Sequence, residues 1–284
     1  MYELILAILA FWIYLSLLSI GLQFIYGVAR VLNLAHGAFF VLGGYLASAF
    51  VHWGLWYWPA VAAAAAVGLA LGAAFYAAVA RLLGNELYQL FFTFSLFWIA
   101  EGLFKLFFGF GLYNTYDVAK AMGQVRLGGA EMPAAYLAGA GVLALAVVGI
   151  YLLLYRTPLG LYIRATVDRP EMAAVLGVNT RLVYTVAVAL GVSTALLGGA
   201  VSSLWQNFTI GLAGVLLVYA FAVVTVAGLG NVTGAVVAAL LISVLRTLAV
   251  FYFPELELLV IYIAVIAVLL LKPSGLFTRY ERRV

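Results

Sequence analysis

The sequence predicts an all-α, polytopic membrane protein, and three observations lead to that prediction. Of its 284 residues, 68% are hydrophobic, whereas soluble domains have about 45 to 50%. Only 8% are charged, which is about a third of the usual share and too few to cover a water-facing surface. The third observation is a series of nine apolar runs, each nearly free of charge. Most of the surface must therefore face lipid.

The predicted spans follow one another along the whole chain, which we interpret as one membrane domain, 1–284. They cover residues 4–22, 34–51, 58–80, 87–110, 133–155, 182–204, 211–228, 233–253 and 256–271. Two boundaries, 23–37 and 228–234, contain glycine and polar residues. Either of them can be a bent or re-entrant passage instead of a clean loop.

The distribution of basic residues predicts the orientation of the spans. Two segments are rich in them, 156–181 and the C-terminal tail, and by the positive-inside rule both lie in the cytoplasm. Counting back places the N-terminus outside, with an extracytoplasmic loop at 111–132 and a cytoplasmic loop at 157–180. The basic residues predicted to lie inside are Arg30, Arg81, Arg156, Arg164, Arg169, Arg181, Lys272, Arg279, Arg282 and Arg283. Lys120 and Arg126 fall outside, and Lys105 and Arg246 fall within spans.

The composition also excludes several classes of function. The chain has no cysteine and two histidines, so we expect neither a disulfide framework nor a metal site. The net charge of +4 is too small and too scattered for a nucleic-acid interface. No carboxylate pair or Ser-His-Asp order predicts catalysis. None of the three lysines follows a glycine as in a phosphate-binding loop, so no cofactor is expected on this chain, and ATP would be bound by partner subunits.

Residues 168–179 of the cytoplasmic loop predict a short helix. Asp168 is expected at its N-cap, Pro170 in its first turn, Glu171 as the second half of a capping box, and Gly177 as its C-terminal stop. A helix of about eight residues is not stable alone in water. It must therefore be held by something else.

Three apolar residues of this short helix, Met172, Val175 and Leu176, lie on one face. That face predicts a contact with a groove, either on a partner protein or on the membrane domain itself. An ordinary interfacial turn would show the same spacing, so the spacing alone leaves both interpretations open.

The two halves of the chain resemble each other faintly. Segments 33–38 and 231–235 both begin with asparagine, contain glycine and precede an apolar run. In transporters built from repeats, paired interrupted helices indicate the substrate pathway. Chance explains so short a match equally well. On this hypothesis the candidate pathway or gate residues are Asn33, His36, Gly37, Gly228, Gly230, Asn231 and Gly234.

Several of these residues also have a structural interpretation. His36 could line the pathway or respond to pH near neutrality, but a histidine at a helix start more often hydrogen-bonds a backbone carbonyl. Asn33 can cap the second helix.

The charges within the spans are candidate functional residues by default. Glu101 and Lys105 are four residues apart, so an ion pair within the helix would offset their burial, and near an outer end both can reach water. Arg246 has no evident partner in its own helix. Glu255 or Glu257 could reach Arg246 only if it lies near the outer surface.

Four stretches of the sequence resemble the permease subunits of branched-chain amino acid ABC importers, specifically the shorter of the two permease types. They are 25–37, with Asn33-Leu34-Ala35-His36-Gly37; 43–46, Gly-Gly-Tyr-Leu; 158–179; and 227–235, completed by the tail 272–277. The match spans nearly the whole chain in the family's order. Two positions depart from the family. Ala38 stands where the family more often has an acidic residue, and Ala227-Gly228 stands where it more often has Gly-Gly.

The resemblance implies a multi-pass permease in the plasma (inner) membrane of a bacterium or archaeon. Its partners would be membrane lipid, a second permease, identical or related, two cytoplasmic ATPases and an extracytoplasmic solute-binding protein. The loop would dock in the ATPase through Arg164, Ala165, Asp168, Glu171, Met172, Val175, Leu176 and Gly177.

The substrate inferred from the resemblance is a branched-chain amino acid, with urea or a short amide as the alternative. An ion-coupled secondary transporter is a second alternative. It would need a coupling-ion site within the spans, and the scarcity of buried acids argues against it.

Overall fold

The computed structural model describes residues 2–127 and 130–277, which form a helical bundle with one short hairpin. The helices are α1 (Tyr2–Ala29), α2 (His36–His52), α3 (Tyr57–Val79), α4 (Glu86–Phe108), α5 (Tyr116–Ala121), α6 (Ala134–Arg156), α7 (Pro158–Asp168), α8 (Pro170–Val175), α9 (Thr180–Ser202), α10 (Leu212–Ala227), α11 (Val232–Tyr252) and α12 (Glu257–Leu271). Short 3-10 turns, Ala80–Leu82 and Pro254–Leu256, extend α3 and precede α12. The all-α polytopic class is confirmed.

Each of the nine predicted spans forms a helix, but in the part of the chain that the structure describes only seven are long and apolar enough to cross a membrane. The two short ones are α2 and α10, with 17 and 16 residues. At 1.5 Å per residue they reach roughly 24 to 26 Å, less than the bilayer core of about 30 Å. Seven candidate spans are thus established by length and composition, and nine crossings stay a prediction.

The helices α1 and α9 form the centre of the bundle. In their most apolar stretches, 61% and 56% of the residues are buried, compared with 6% in α12. Glycines bring α9 close to its neighbours: a Cβ at Gly72 of α3 would lie 2.6 Å from the Cα of Ala189. A Cβ at Gly199 would lie 1.8 Å from the carbonyl oxygen of Phe40 in α2. Packing therefore explains these glycines.

The first helix is longer than predicted. The sequence predicts that the first span ends at residue 22, because Gln23 is polar, but α1 continues to Ala29. The Gln23 side chain is buried and both of its polar atoms are hydrogen-bonded, so the helix tolerates it.

The predicted loop 111–132 contains α5 and an antiparallel hairpin of β1 (Gln124–Leu127) and β2 (Ala130–Pro133). It is tied to the connection between α9 and α10: Tyr113 and Phe208 exchange backbone hydrogen bonds of 3.1 and 2.8 Å, and the hydroxyls of Thr115 and Ser203 are 2.8 Å apart. At the other end of the bundle, α7 packs against α1, α6 and α9.

Candidate functional site

Two of the non-helical connections between helices contain or adjoin the predicted pathway residues: 30–35 between α1 and α2, and 228–231 between α10 and α11. The second is attached to α1 by Gln23. The Gln23 side chain donates from Nε2 to the carbonyl of Gly228, at 2.9 Å, and its Oε1 accepts from the N–H of Gly230, at 2.6 Å. Gly27 lies one turn further along α1, where a Cβ would be 3.0 Å from the Cα of Gly230. Gln23 is not among the predicted pathway residues, although a polar side chain within an apolar run was a signal for it.

The same passage is held from its other side by the C-terminal tail. Asn231 caps α11 by accepting from the N–H of Gly234, at 2.8 Å, and its Nδ2 donates to the carbonyl of Phe277, at 2.9 Å. The N–H of Leu276 donates to Val226. We call this set of contacts the clasp: Gln23, 228–231 and 275–277.

Glycine is required within the clasp. Gly228 and Gly230 have φ values of +90° and +81°, in the left-handed region that side chains disfavour. A Cβ at Gly234 would be 2.6 Å from the Asn231 side chain. These contacts explain the glycines structurally, and their role in a pathway stays a prediction.

Asn33, His36 and Gly37, predicted in the first interruption, are buried. The prediction that Asn33 caps α2 is wrong, because the N-cap is Ala35 and Asn33 instead accepts from the Ala35 N–H, at 3.0 Å. His36 Nε2 lies 2.9 Å from the carbonyl oxygen of Leu18, which fits the structural interpretation. A Cβ at Gly37 would lie 2.2 Å from the carbonyl oxygen of Ala213, so Gly37 allows α2 to approach α10.

The helix α7 was not predicted from the sequence. Thr157 caps it by accepting from the N–H of Gly160, at 3.1 Å, and Pro158 occupies the first turn. This Thr-Pro pair was an available signal. Gly160 permits a close approach to α6, since a Cβ there would be 2.1 Å from the carbonyl oxygen of Leu153.

The predicted start of the next helix is wrong by one residue. Asp168 is the last residue of α7, the N-cap of α8 is Arg169, and no side chain caps α8. The capping box from Asp168 to Glu171 therefore does not form, because α7 extends far enough to include Asp168. Three of the predicted docking residues lie in α7: Asp168 ends it, Arg164 places its guanidinium 5.1 Å from the Tyr155 ring centre, and Ala165 accepts at its carbonyl from the Arg169 N–H, at 3.0 Å.

The predicted end of α8 is confirmed. Gly177 has φ +88°, its N–H donates to Ala174, and the N–H of Val178 donates to Ala173, which together form a Schellman motif.

The apolar face of α8 does not pack on the membrane domain. Met172, Val175 and Leu176 are 52%, 82% and 78% exposed, whereas Ala173, on the other face, is 3% exposed. The apolar face was predicted to contact a groove either on a partner protein or on the membrane domain, and the second of these is thus excluded. We call these three side chains the α8 face.

The predicted ion pair in α4 does not form in the described chain. Glu101 is buried, and its Oε2 accepts from the N–H of Gly211 at the start of α10, at 3.0 Å. An anion is favoured there because the helix N-terminus carries a partial positive charge. Lys105 is exposed, with its Nζ 5.1 Å from the ring centre of Phe110.

Arg246 pairs with Glu257, one of the two acidic residues predicted to reach it if it lies near the outer surface. Its Nε donates to Glu257 Oε1, at 2.8 Å, and its guanidinium lies 4.5 Å from the ring centre of Phe11. The Tyr219 hydroxyl donates to the same carboxylate oxygen. Glu257 is the first residue of α12, so the pair lies towards that end of the bundle.

A bundle with seven candidate membrane spans and an exposed amphipathic segment at one end is an architecture expected of a transport permease. The family described as branched-chain amino acid transport system / permease component matches residues 4–269, so the chain belongs to this family. It is the permease subunit of an ABC importer and a multi-pass protein of the plasma membrane.

One curated relative supports the assignment. The chain is 23% identical over 282 residues to the "Probable branched-chain amino acid transport permease protein LivH" of Methanocaldococcus jannaschii, covering 92% of this chain and 88% of the relative. No solved structure matches the chain significantly.

Proposed function

We propose that this chain conducts branched-chain amino acids into the cell, together with a second permease, and that two cytoplasmic ATPases bound to α7 and α8 drive the movement. A solute-binding protein delivers the amino acid to the end of the bundle that carries α5 and the hairpin. The α8 face carries this proposal. Its three apolar side chains are exposed, although the backbone hydrogen bonds that end α8 are already made within the chain. The substrate is inferred from the family and from the printed name of the relative.

The contacts of α7 provide a route from the ATPase to the pathway. A six-residue helix such as α8 is not stable alone, so α8 depends on its neighbours and on a partner. α7 packs directly against α1, and α1 carries Gln23 of the clasp. A displacement of α8 on ATP binding would therefore reach the passage 228–231 through two packed helices.

In the proposed orientation the N-terminus is outside and the C-terminus is in the cytoplasm. Exposed Trp53, Trp56 and Trp58 then lie at the outer interface, where tryptophan is enriched. The predicted cytoplasmic residues Arg279, Arg282 and Arg283 lie outside the described residues.

ATP-driven uptake of radiolabelled leucine tests the proposal, using the complex that copurifies with the permease, reconstituted in liposomes with its binding protein. Leu176→Asp places a charge in the α8 face, so we expect at least tenfold slower uptake with normal membrane insertion, because one central contact can carry most of an interface's binding energy. Leu83→Asp, at the same end of the bundle, is the control and should transport normally.

Three outcomes would contradict the proposal. Normal ATP-driven uptake by Leu176→Asp would refute docking through α8. Uptake of urea or acetamide in place of leucine would support the alternative substrate. Uptake driven by an ion gradient in the purified permease alone would indicate a secondary transporter.

A further inference from the structure

A cavity of about 550 Å³ opens at the end of the bundle that carries α7. Its volume lies within the range of roughly 300 to 1,000 Å³ that is typical of small-molecule sites. Gln23, Gly27 and Gly230 line it, so it adjoins the clasp, and residues of α7 form another wall. Any ligand there would contact both the interrupted passage and the segment that leads to α8.

The lining of the cavity carries charges of both signs. Arg30 from the end of α1 and Arg164 from α7 provide two guanidinium groups, and Asp168 from the last turn of α7 provides a carboxylate. Within the described chain, no ion pair neutralises any of the three. Arg164 and Asp168 are four residues apart on one helix and still do not pair with each other. In the described part of the chain, their charges are therefore open to a ligand.

The rest of the lining is largely apolar. Leu154 of α6, Val167 of α7 and Val232 of α11 are partly exposed and stand beside the charged groups, whereas Phe24, Val28 and Ile163 are buried. The cavity thus combines two cations, one anion and a hydrocarbon wall.

The backbone of Arg30 provides a second, independent observation. Arg30 has φ +53° and is the one non-glycine residue with positive φ in the part of the chain that the structure describes. It follows the last residue of α1, a position where glycine is commonly favoured because it carries no Cβ. The sequence therefore retains an arginine where its backbone is strained, and the side chain of that arginine lines the cavity.

We infer that this cavity binds an α-amino acid in its zwitterionic form. The carboxylate accepts hydrogen bonds from Arg30 and Arg164, the ammonium donates to Asp168, and the aliphatic side chain packs on Leu154, Val167 and Val232. A phosphate group would gain the two arginines but be repelled by Asp168, so the charge pattern favours the zwitterion. The inference rests on the proposed function, since the ligand is the transported amino acid on the side where it is released.

Occupancy of the cavity would have a consequence for transport. The bound amino acid bridges α1 and α7, and α7 leads directly into α8. Accumulated product would therefore restrain the segment that docks in the ATPase and slow the transport cycle.

The absence of cysteine from the sequence makes a direct test possible. A single cysteine is introduced as Val167→Cys, which lines the cavity, or as Leu83→Cys, which does not; Val167 and Leu83 are equally exposed, at 38%. The permease is reconstituted in lipid nanodiscs without binding protein and labelled with a maleimide. We expect leucine to protect Val167→Cys and to leave the labelling of Leu83→Cys unchanged.

Charge variants and ligand analogues identify the contacts. N-acetylleucine lacks the ammonium and leucinamide lacks the carboxylate, so each should protect about tenfold more weakly than leucine. Asp168→Asn and Arg164→Gln, combined with Val167→Cys, should raise the half-protecting leucine concentration about tenfold. Glu86→Gln and Arg81→Gln remove exposed charges at the same end of the bundle and should have no effect.

Several results would overturn the inference. They are an absence of leucine protection, protection by inorganic phosphate at lower concentration than by leucine, and equal protection in the charge variants and their controls. Uptake by the reconstituted complex separates this inference from the proposed function. Normal leucine uptake without protection refutes the cavity alone, whereas protection without leucine uptake supports the cavity and refutes the proposed substrate.

Discussion

The clasp and the α8 face differ in what holds them. In the clasp, the side-chain amides of Gln23 and Asn231, the carbonyl of Gly228 and the N–H of Gly230 all have partners within the chain. At α8, Gly177 completes the backbone hydrogen bonds, yet three apolar side chains project away from the protein. The first region is complete by itself, whereas the second has a surface that only another molecule can cover. This difference separates a fixed element of the bundle from an element that can transmit movement.

The largest effect on stability should come from the clasp. Gln23→Ala removes the partner of the Gly230 N–H, whereas the carbonyl of Gly228 keeps the N–H of Asn231 as a partner. The unpaired N–H costs about 1 to 3 kcal/mol and the space left by the buried Gln23 side chain adds to this, so we expect a loss of about 2 to 4 kcal/mol in the free energy of unfolding. Thermal or denaturant unfolding in detergent measures it. Gln124→Ala, in the exposed hairpin, is the control, and an equal loss in both variants would show that Gln23 is not special.

A smaller loss is expected from Gly230→Ala. The new methyl group forces a side-chain-bearing residue into φ +81°, which costs about 1 to 2 kcal/mol. The same unfolding assay applies, with Gly141→Ala in α6, where a Cβ would meet nothing within 4 Å, as the matched control. An unchanged stability in Gly230→Ala would mean that the passage relaxes without strain.

Two helix caps compare the regions directly. Asn231 caps α11 in the clasp and Asn179 caps α9 just after α8, each by accepting from a backbone N–H three residues on. Replacing either by alanine removes a cap, at about 1 kcal/mol. Asn231→Ala should cost about 1 kcal/mol more, because its Nδ2 also donates to Phe277. Equal losses in the two variants would show that the hydrogen bond from Asn231 to Phe277 adds no stability, so the tail would not belong to the clasp.

The smallest loss of stability is expected from Gly177→Ala, which should nevertheless impair transport strongly. Gly177→Ala strains a residue at φ +88° in an exposed turn, so the unfolding free energy should fall by about 1 kcal/mol or less, since local rearrangement relieves part of the strain. The number of leucine molecules moved per ATP should nevertheless drop, because the turn orients the α8 face. Simultaneous measurement of uptake and ATP hydrolysis checks this, and an unchanged ratio would contradict it.

Local patterns of the sequence predicted local structure well. Gly177 as a helix stop required only the preference of glycine for positive φ, and the apolar face of α8 required only helical spacing. The N-cap of α8 was wrong because the competing helix α7 claimed Asp168. Sequence spacing cannot decide such a competition when both helices are short and neither is stable alone.

Contacts between distant residues could not be predicted in the same way. Glu101 and Lys105 have favourable spacing for an ion pair, but the start of α10 offered Glu101 a backbone donor 110 positions away. Arg246 forms an ion pair with Glu257 because the turn between α11 and α12 brings these residues together.

The sequence by itself determined that the protein is a helical membrane protein, where its apolar segments lie and that Gly177 terminates α8. These properties depend on the hydrophobicity of each segment and on the backbone conformations that a single residue such as glycine prefers. Both can be read from a short stretch of the sequence. The tertiary structure decided that Gln23 meets Gly230, which is 207 positions away, and that Arg30, Arg164 and Asp168 share one cavity. In lipid the apolar faces of helices give little drive to associate, so close packing and buried hydrogen bonds select the partners, and both exist only after the chain has folded.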